Sequence, residues 1–208
     1  MTSYNAAEFF RELERVVKSD LSVSDAFQRI IRFCAPARPH PDWAALEALD
    51  VEGDLRHLQA WLETLLRTSP PPASVTGLWF GLFNPMVKDR VTADLHLIGA
   101  TYDGTALDWL FRERWGRDTP DAASSVLEAI YQIAYGRDDG LGNDAEYALA
   151  LAYAALAVRH VARLMGSRLL GEAVQRVLLV GFDSGDFLCI GAVRKEGLVF
   201  SRGREVMT

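Results

Sequence analysis

With 208 residues, half of them hydrophobic and 24% charged, the chain is too apolar for a disordered segment and long enough for one well-filled core. A net charge of -6 argues against a chain whose main partner is nucleic acid, because phosphate contacts need clustered Lys and Arg; a basic partner fits better. Two cysteines, Cys34 and Cys189, argue against a disulfide framework and for reduced thiols in a cytoplasmic protein. The first twenty residues mix charges of both signs with apolar positions and lack the apolar core of a signal peptide.

In chain order, Phe9, Phe10, Leu13, Val16 and Val17 recur at helical spacing and predict an amphipathic helix over 6–18. A second helix is predicted from Ser24 or Asp25, with Phe27, Ile30, Ile31 and Cys34 on its stripe, before Pro36, Pro39 and Pro41 force a loop. Two short helices in tandem suggest a helix-turn-helix, but Arg29, Arg32 and Arg38 are offset by Asp20, Asp25 and Asp42, which leaves no basic face. Asp42 is the expected N-cap of a third helix that Gly53 interrupts and that continues through Leu55, Leu58, Leu62 and Leu65 to Thr68. The segment Ser69-Pro70-Pro71-Pro72 is stiff and extended. It separates an N-terminal helical region, 1–69, from an α+β core domain, 73–208, with the two able to form one compact unit.

The core opens with TGLWFGLF, 76–83, whose aromatic content and glycines predict a strand ended by Asn84 and Pro85. Residues 91–102 alternate, so Asp94, His96 and Ile98 share one face of a second strand. If 84–90 close an antiparallel hairpin, Asp94 and His96 share a face with a subset of Trp79, Gly81 and Phe83. Trp109, Leu110 and Phe111 predict a short helical turn, and Thr119-Pro120 reads as the start of a helix carrying Val126, Leu127, Ile130 and Ile133. Asn143 to Met165 is the centre of the design: Tyr147 to Val158 carries no charge, and a helix apolar on every side belongs inside the fold. Asn143 with Glu146 reads as its cap pair, Arg159, His160 and Arg163 as dipole partners near its end, and Gly166 as its stop. The uncharged run is shorter than the ~20 residues a bilayer span needs. Residues 177–182 and 187–193 are apolar runs joined by a turn with Gly185, followed by an edge strand at 198–201. The predicted fold is α+β: a mostly antiparallel sheet of four to five strands, a buried Ala-rich helix and an N-terminal helical region.

Chemistry is sparser. Asp94 and His96 project together from one strand, as a carboxylate and an imidazole would in a general base, but no nucleophile stands near them in the sequence. His40, His57 and His160 are scattered, with no HExxH or paired CxxC, so neither a metal nor a cofactor is expected. In the loop RDDGLGND, 137–144, the aspartates would repel a phosphate, and the twelfth position of an EF-hand loop begun at Asp138 is Leu149. That loop reads as a tight turn with local side-chain caps. The aromatics Trp79 and Phe83, with carboxylates nearby, are of the kind that anchor an interface to a basic protein.

The stretch GFDSGDFLCIG, 181–191, resembles the late strand pair of SUKH-type bacterial immunity proteins, where a Gly-Asp pair precedes an apolar strand. GLWFGLFNP, 77–85, is similar to segments of bacterial families encoded near toxins. The resemblance implies a toxin-neutralising role with a basic protein toxin as partner. The leading expectation is a non-enzymatic protein-binding module that uses Trp79, Phe83, Asp94, His96, Asp183 and Asp186. The alternative is a small-ligand-binding protein or enzyme with a cleft near Asp94 and His96.

Overall fold

The computed structural model describes residues 2–84, 86, 87, 90, 91, 93–104, 107–111, 114–183 and 185–201. Among them the elements run α1 (Ala6–Val17), α2 (Val23–Cys34), α3 (Asp42–Glu47), α4 (Val51–Thr68), β1 (Gly77–Phe83), β2 (Met86–Val87), β3 (Arg90–Val91), β4 (Asp94–Ala100), β5 (Ala122–Ala123), α5 (Ser125–Tyr135), α6 (Asn143–Leu170), β6 (Arg176–Phe182), β7 (Phe187–Arg194) and β8 (Gly197–Phe200). Short 3-10 turns occupy Ala35–Ala37 and Leu107–Phe111.

The helix starts follow from side-chain caps, since an Ncap oxygen takes up a backbone N–H that the helix itself cannot bond. Asn5 accepts from Glu8 N at 3.2 Å, Ser22 from Asp25 N at 3.0 Å and Asp50 from Gly53 N at 2.9 Å. The last of these corrects the predicted third helix. The break falls at Ala48–Asp50, and Gly53 lies in the first turn of α4, where a Cβ would collide with the capping carboxylate of Asp50. Asp42 is the first residue of α3 and holds Arg137.

Helix α6 is the buried rod the composition predicts: Ala148 to Val158 are all buried, with Leu149, Leu151, Tyr153 and Leu156 at 0% exposure. Each fully buried Leu contributes about 1.5–3 kcal/mol of apolar transfer, and the alanines between them let neighbouring backbones close in. One side of α6 packs on β1, β6, β7 and β8, and the other meets α1, α2, α4 and α5. By length and composition α6 could cross a membrane, yet 83% of its apolar window is buried inside this protein. Its ends differ from expectation. Gly142, at φ 54°, precedes Asn143, and the helix bends at Met165, passes Gly166 and stops at Gly171, at φ 53°. Arg159 is not at the helix end. It is buried mid-helix, where Nη1 donates to Val16 O and Ser19 O at 3.0 and 3.2 Å and Nη2 to Leu21 O at 2.8 Å, closing the end of α1.

The main sheet has six strands among the described residues, in the order β5-β4-β1-β6-β7-β8, rather than four to five. The additional strand is the two-residue β5, which pairs with Asp94 and Leu95; a separate ribbon joins β2 to β3. Part of the 84–90 connection, residues 85, 88 and 89, lies outside the described residues. Pairing is antiparallel except between β1 and β6, which are parallel because α5 and α6 carry the chain across the sheet between β4 and β6. The helical cover fills only one face. Leu78, Phe80, Leu82, Leu95, Leu97, Leu178 and Val180 join α6 and the N-terminal helices in one continuous core. The opposite face carries a smaller cluster of Trp79, Trp109, Leu110, Leu179 and Phe187, capped by the turn at 107–111.

Two buried polar anchors fix the layers. Asp54 on α4 accepts from Ser124 Oγ at 2.6 Å, Ser125 N at 2.7 Å, Ser125 Oγ at 2.9 Å and the Tyr153 hydroxyl. Arg176, at 0% exposure, donates to Leu170 O at 3.1 Å, Pro71 O at 2.8 Å and Val75 O, tying the proline segment to the end of α6. Ser124, not Thr119, caps α5, and the chain from Thr119 reaches it through β5. The 137–144 loop is a tight turn: Gly140 N donates to Arg137 O at 3.0 Å, and the Asp144 carboxylate accepts from Ser3 N, Ser3 Oγ and Arg38.

Candidate functional site

The antiparallel register of β1 and β4 sets Trp79 opposite Ile98, Gly81 opposite His96 and Phe83 opposite Asp94. Because side chains alternate, these six positions share the face away from α6. Gly81 leaves the middle of that face open. A Cβ there would collide with the imidazole of His96 and the indole nitrogen of Trp79, so both rings lie across the glycine.

The carboxylate that meets them comes from the end of β6. Trp79 Nε1 donates to Asp183 Oδ1 at 3.3 Å, and His96 Nε2 stands 3.5 Å from the same oxygen. The His96 ring lies 5.6 Å from that of Phe83, and Trp79 meets Phe187 edge-on at 6.0 Å. The imidazole is 18% exposed and the Asp183 carboxylate 51%, so the pair opens toward solvent with the acid on the outside.

Trp79, Phe83, His96 and Asp183 line a cleft of about 460 Å³. Trp79, Phe83, Ile98 and Leu110 provide its apolar surface, His96 and Asp183 its polar centre, and Arg114, Gly116, Arg117 and Asp121 the loop beside it. That loop is held tightly. Trp115 and Gly99 exchange backbone hydrogen bonds at 2.8 and 2.9 Å, Thr119 Oγ1 donates to Gly116 O at 2.7 Å, and Trp61 Nε1 donates to Pro120 O at 2.8 Å. Gly116 has φ 86°, and a Cβ on it would meet Leu97 O at 2.5 Å; only glycine fits both conditions.

Of the six residues singled out from sequence, Trp79, Phe83, His96 and Asp183 come together in this cleft. Asp94 and Asp186 do not line it. Asp94 shares the face of His96, but the carboxylate at the imidazole is Asp183. Burial, with the charges of Asp121 and Glu128 added, holds the Asp94 carboxyl above the ordinary carboxylate value. Asp186 lies on the side of Tyr147 in α6, where, after burial, its negative charge raises the phenol. Arg114, Arg117 and Asp121 carried no sequence signal, since nothing in WGRDTP announces that Trp115 returns to β4.

A second polar group gathers at the start of α6. The Tyr131 hydroxyl donates its one proton to Glu146, with Asn84 Oδ1 3.0 Å from the same oxygen, and Tyr135 donates to Asn143 Oδ1 at 2.6 Å. Burial raises the Glu146 carboxyl even though the tyrosine hydrogen bonds lower it. This group joins α5, α6 and the end of β1, and it explains why Glu146 does not act as the reciprocal cap of Asn143. Among the described residues, no three His, Cys, Asp or Glu side chains are grouped to hold a metal ion.

No protein-family model, curated protein or solved structure matches the chain. The functional reading therefore rests on the cleft.

Proposed function

We propose that the protein is a non-enzymatic binding protein that takes a small ligand in the cleft between β1, β4, the end of β6 and the 114–121 loop. The observation that carries this reading is the convergence of Trp79, Phe83, His96 and Asp183 from three strands on one cavity. Its volume of about 460 Å³ lies in the usual range for ligand sites, and its make-up, apolar walls with a few convergent polar groups, is the usual one. Within the apolar walls, the imidazole of His96 and the carboxylate of Asp183 are the polar groups that can orient a bound ligand.

Ligand-observed NMR with a fragment library tests this. Fragments should bind the wild-type protein, compete with one another and lose their signal with His96→Ala. A hit list unchanged by His96→Ala, or no hits at all, contradicts the reading.

A protein partner is the second reading. It is favoured by the exposed Asp183 and Asp186 on the loop that carries the resemblance to SUKH-type immunity proteins, in a chain of net charge -6. Such a surface suits a basic toxin, and rescue of cells from a toxin encoded beside this protein, lost with Asp183→Lys and Asp186→Lys together, would support it.

A further inference from the structure

Resting on the small-ligand reading above, the geometry points to a free aromatic α-amino acid as the ligand class: a flat apolar group bearing one anionic and one cationic centre. We infer this from two groups of opposite charge at the cleft with hydrogen-bonding capacity left over. Arg117 is exposed and has no ion-pair partner among the described residues. Its main chain belongs to the turn that Gly116 and Thr119 close beside the cleft. Its guanidinium presents a planar fork that matches a carboxylate.

Asp183 is the counterpart. Its Oδ1 is engaged by Trp79 and faces His96, while Oδ2 accepts no hydrogen bond among the described residues and the side chain is 51% exposed. A carboxylate with a free oxygen beside a cleft accepts from an ammonium. A purely anionic ligand would satisfy Arg117 but meet Asp183 and Asp121, and a purely cationic one would meet Arg117. Only a ligand of both signs is matched at both places. The apolar surface of Trp79, Phe83 and Ile98 sets the third requirement, since offset or edge-on contacts favour a ring over a small aliphatic group.

Calorimetric titration of the full chain with three probes tests the inference: L-phenylalanine, 3-phenylpropanoate, which lacks the ammonium, and phenethylamine, which lacks the carboxylate. L-phenylalanine should bind at one site, and each analogue at least about tenfold more weakly, the scale of one charge-assisted hydrogen bond. Arg117→Ala should bring L-phenylalanine down to the affinity of phenethylamine, and Asp183→Asn down to that of 3-phenylpropanoate. Both substitutions are at exposed positions and should leave thermal unfolding unchanged, so a lost affinity with an unchanged melt supports the inference. An analogue that binds as tightly as the amino acid, or affinity for the amino acid unchanged in both variants, overturns it while leaving the small-ligand reading in place. No binding of any probe, together with an empty fragment screen, overturns both.

Discussion

The imidazole of His96 lies across Gly81, its register partner on the neighbouring strand, in space that any side chain at 81 would fill. The same glycine admits the indole nitrogen of Trp79, so one missing Cβ lets two rings converge on Asp183. Gly81→Ala should therefore displace both rings. The expected cost is about 1–3 kcal/mol, typical of overpacking a filled site, read from urea unfolding, and the imidazole NMR signals of His96 should shift. Unchanged stability and an unmoved imidazole would show that the rings do not depend on the glycine.

Asp54 joins three helices through one carboxylate. Its removal leaves the Ser124 and Tyr153 hydroxyls without their acceptor in a buried place. Each buried polar group left unpaired costs about 1–3 kcal/mol, so Asp54→Ala should lose roughly 2–4 kcal/mol in chemical unfolding. Asp54→Asn keeps one carbonyl oxygen and should lose less. Equal losses would mean that the single carbonyl oxygen of Asn replaces none of these bonds, and an unchanged stability in Asp54→Ala would contradict the role of the carboxylate.

Arg159 is a buried cation held by main-chain carbonyls of the α1–α2 connection, and burial pushes its pKa down to about 10. Arg159→Met fills similar space but leaves Ser19 O and Leu21 O without these donors. Destabilisation of about 1–3 kcal/mol is expected, with faster amide exchange confined to residues 18–22. Faster exchange spread over all of α6 would instead point to loss of core packing.

Alkaline pH should unfold the protein through its tyrosines. Burial is the largest cause raising the phenols of Tyr4, Tyr131, Tyr147 and Tyr153 above their ordinary value, with nearby carboxylates adding to it. A raised phenol pKa means that the folded state holds the proton more tightly. Its contribution to stability is complete below the unfolded value of about 10 and declines as pH climbs past it. Phenolate absorbance should therefore show these four ionising only together with loss of the fold. Smooth ionisation of all six tyrosines near their ordinary value, with the fold intact, would contradict the burial.

Much of the architecture could be read from residues, because periodicity reports which side of an element is covered. The stripes of α1 and α2, the apolar surround of α6 and the alternation in β4 each predict the burial found. Boundaries set by long-range partners were not legible. Ser124 became the cap of α5 beside Asp54, seventy residues away in sequence, whereas Thr119-Pro120 offered a better local signal. Arg159 reads locally as a dipole partner at a helix end, but its partners are Val16 O, Ser19 O and Leu21 O, some 140 residues away in sequence. The site divided in the same way. The shared face of Trp79, Phe83 and His96 follows from strand alternation, but Asp183 displaces Asp94 as the partner of His96 only because β6 lies parallel beside β1, which no local pattern encodes.

The most direct test of the cleft is backbone amide mapping by NMR during titration with a fragment that binds. The perturbed amides should cluster at 79–83, 96–98, 114–121 and 183, with α1 and α2 unmoved. Shifts concentrated on the helical face, with the Trp79–His96–Asp183 group silent, would contradict it.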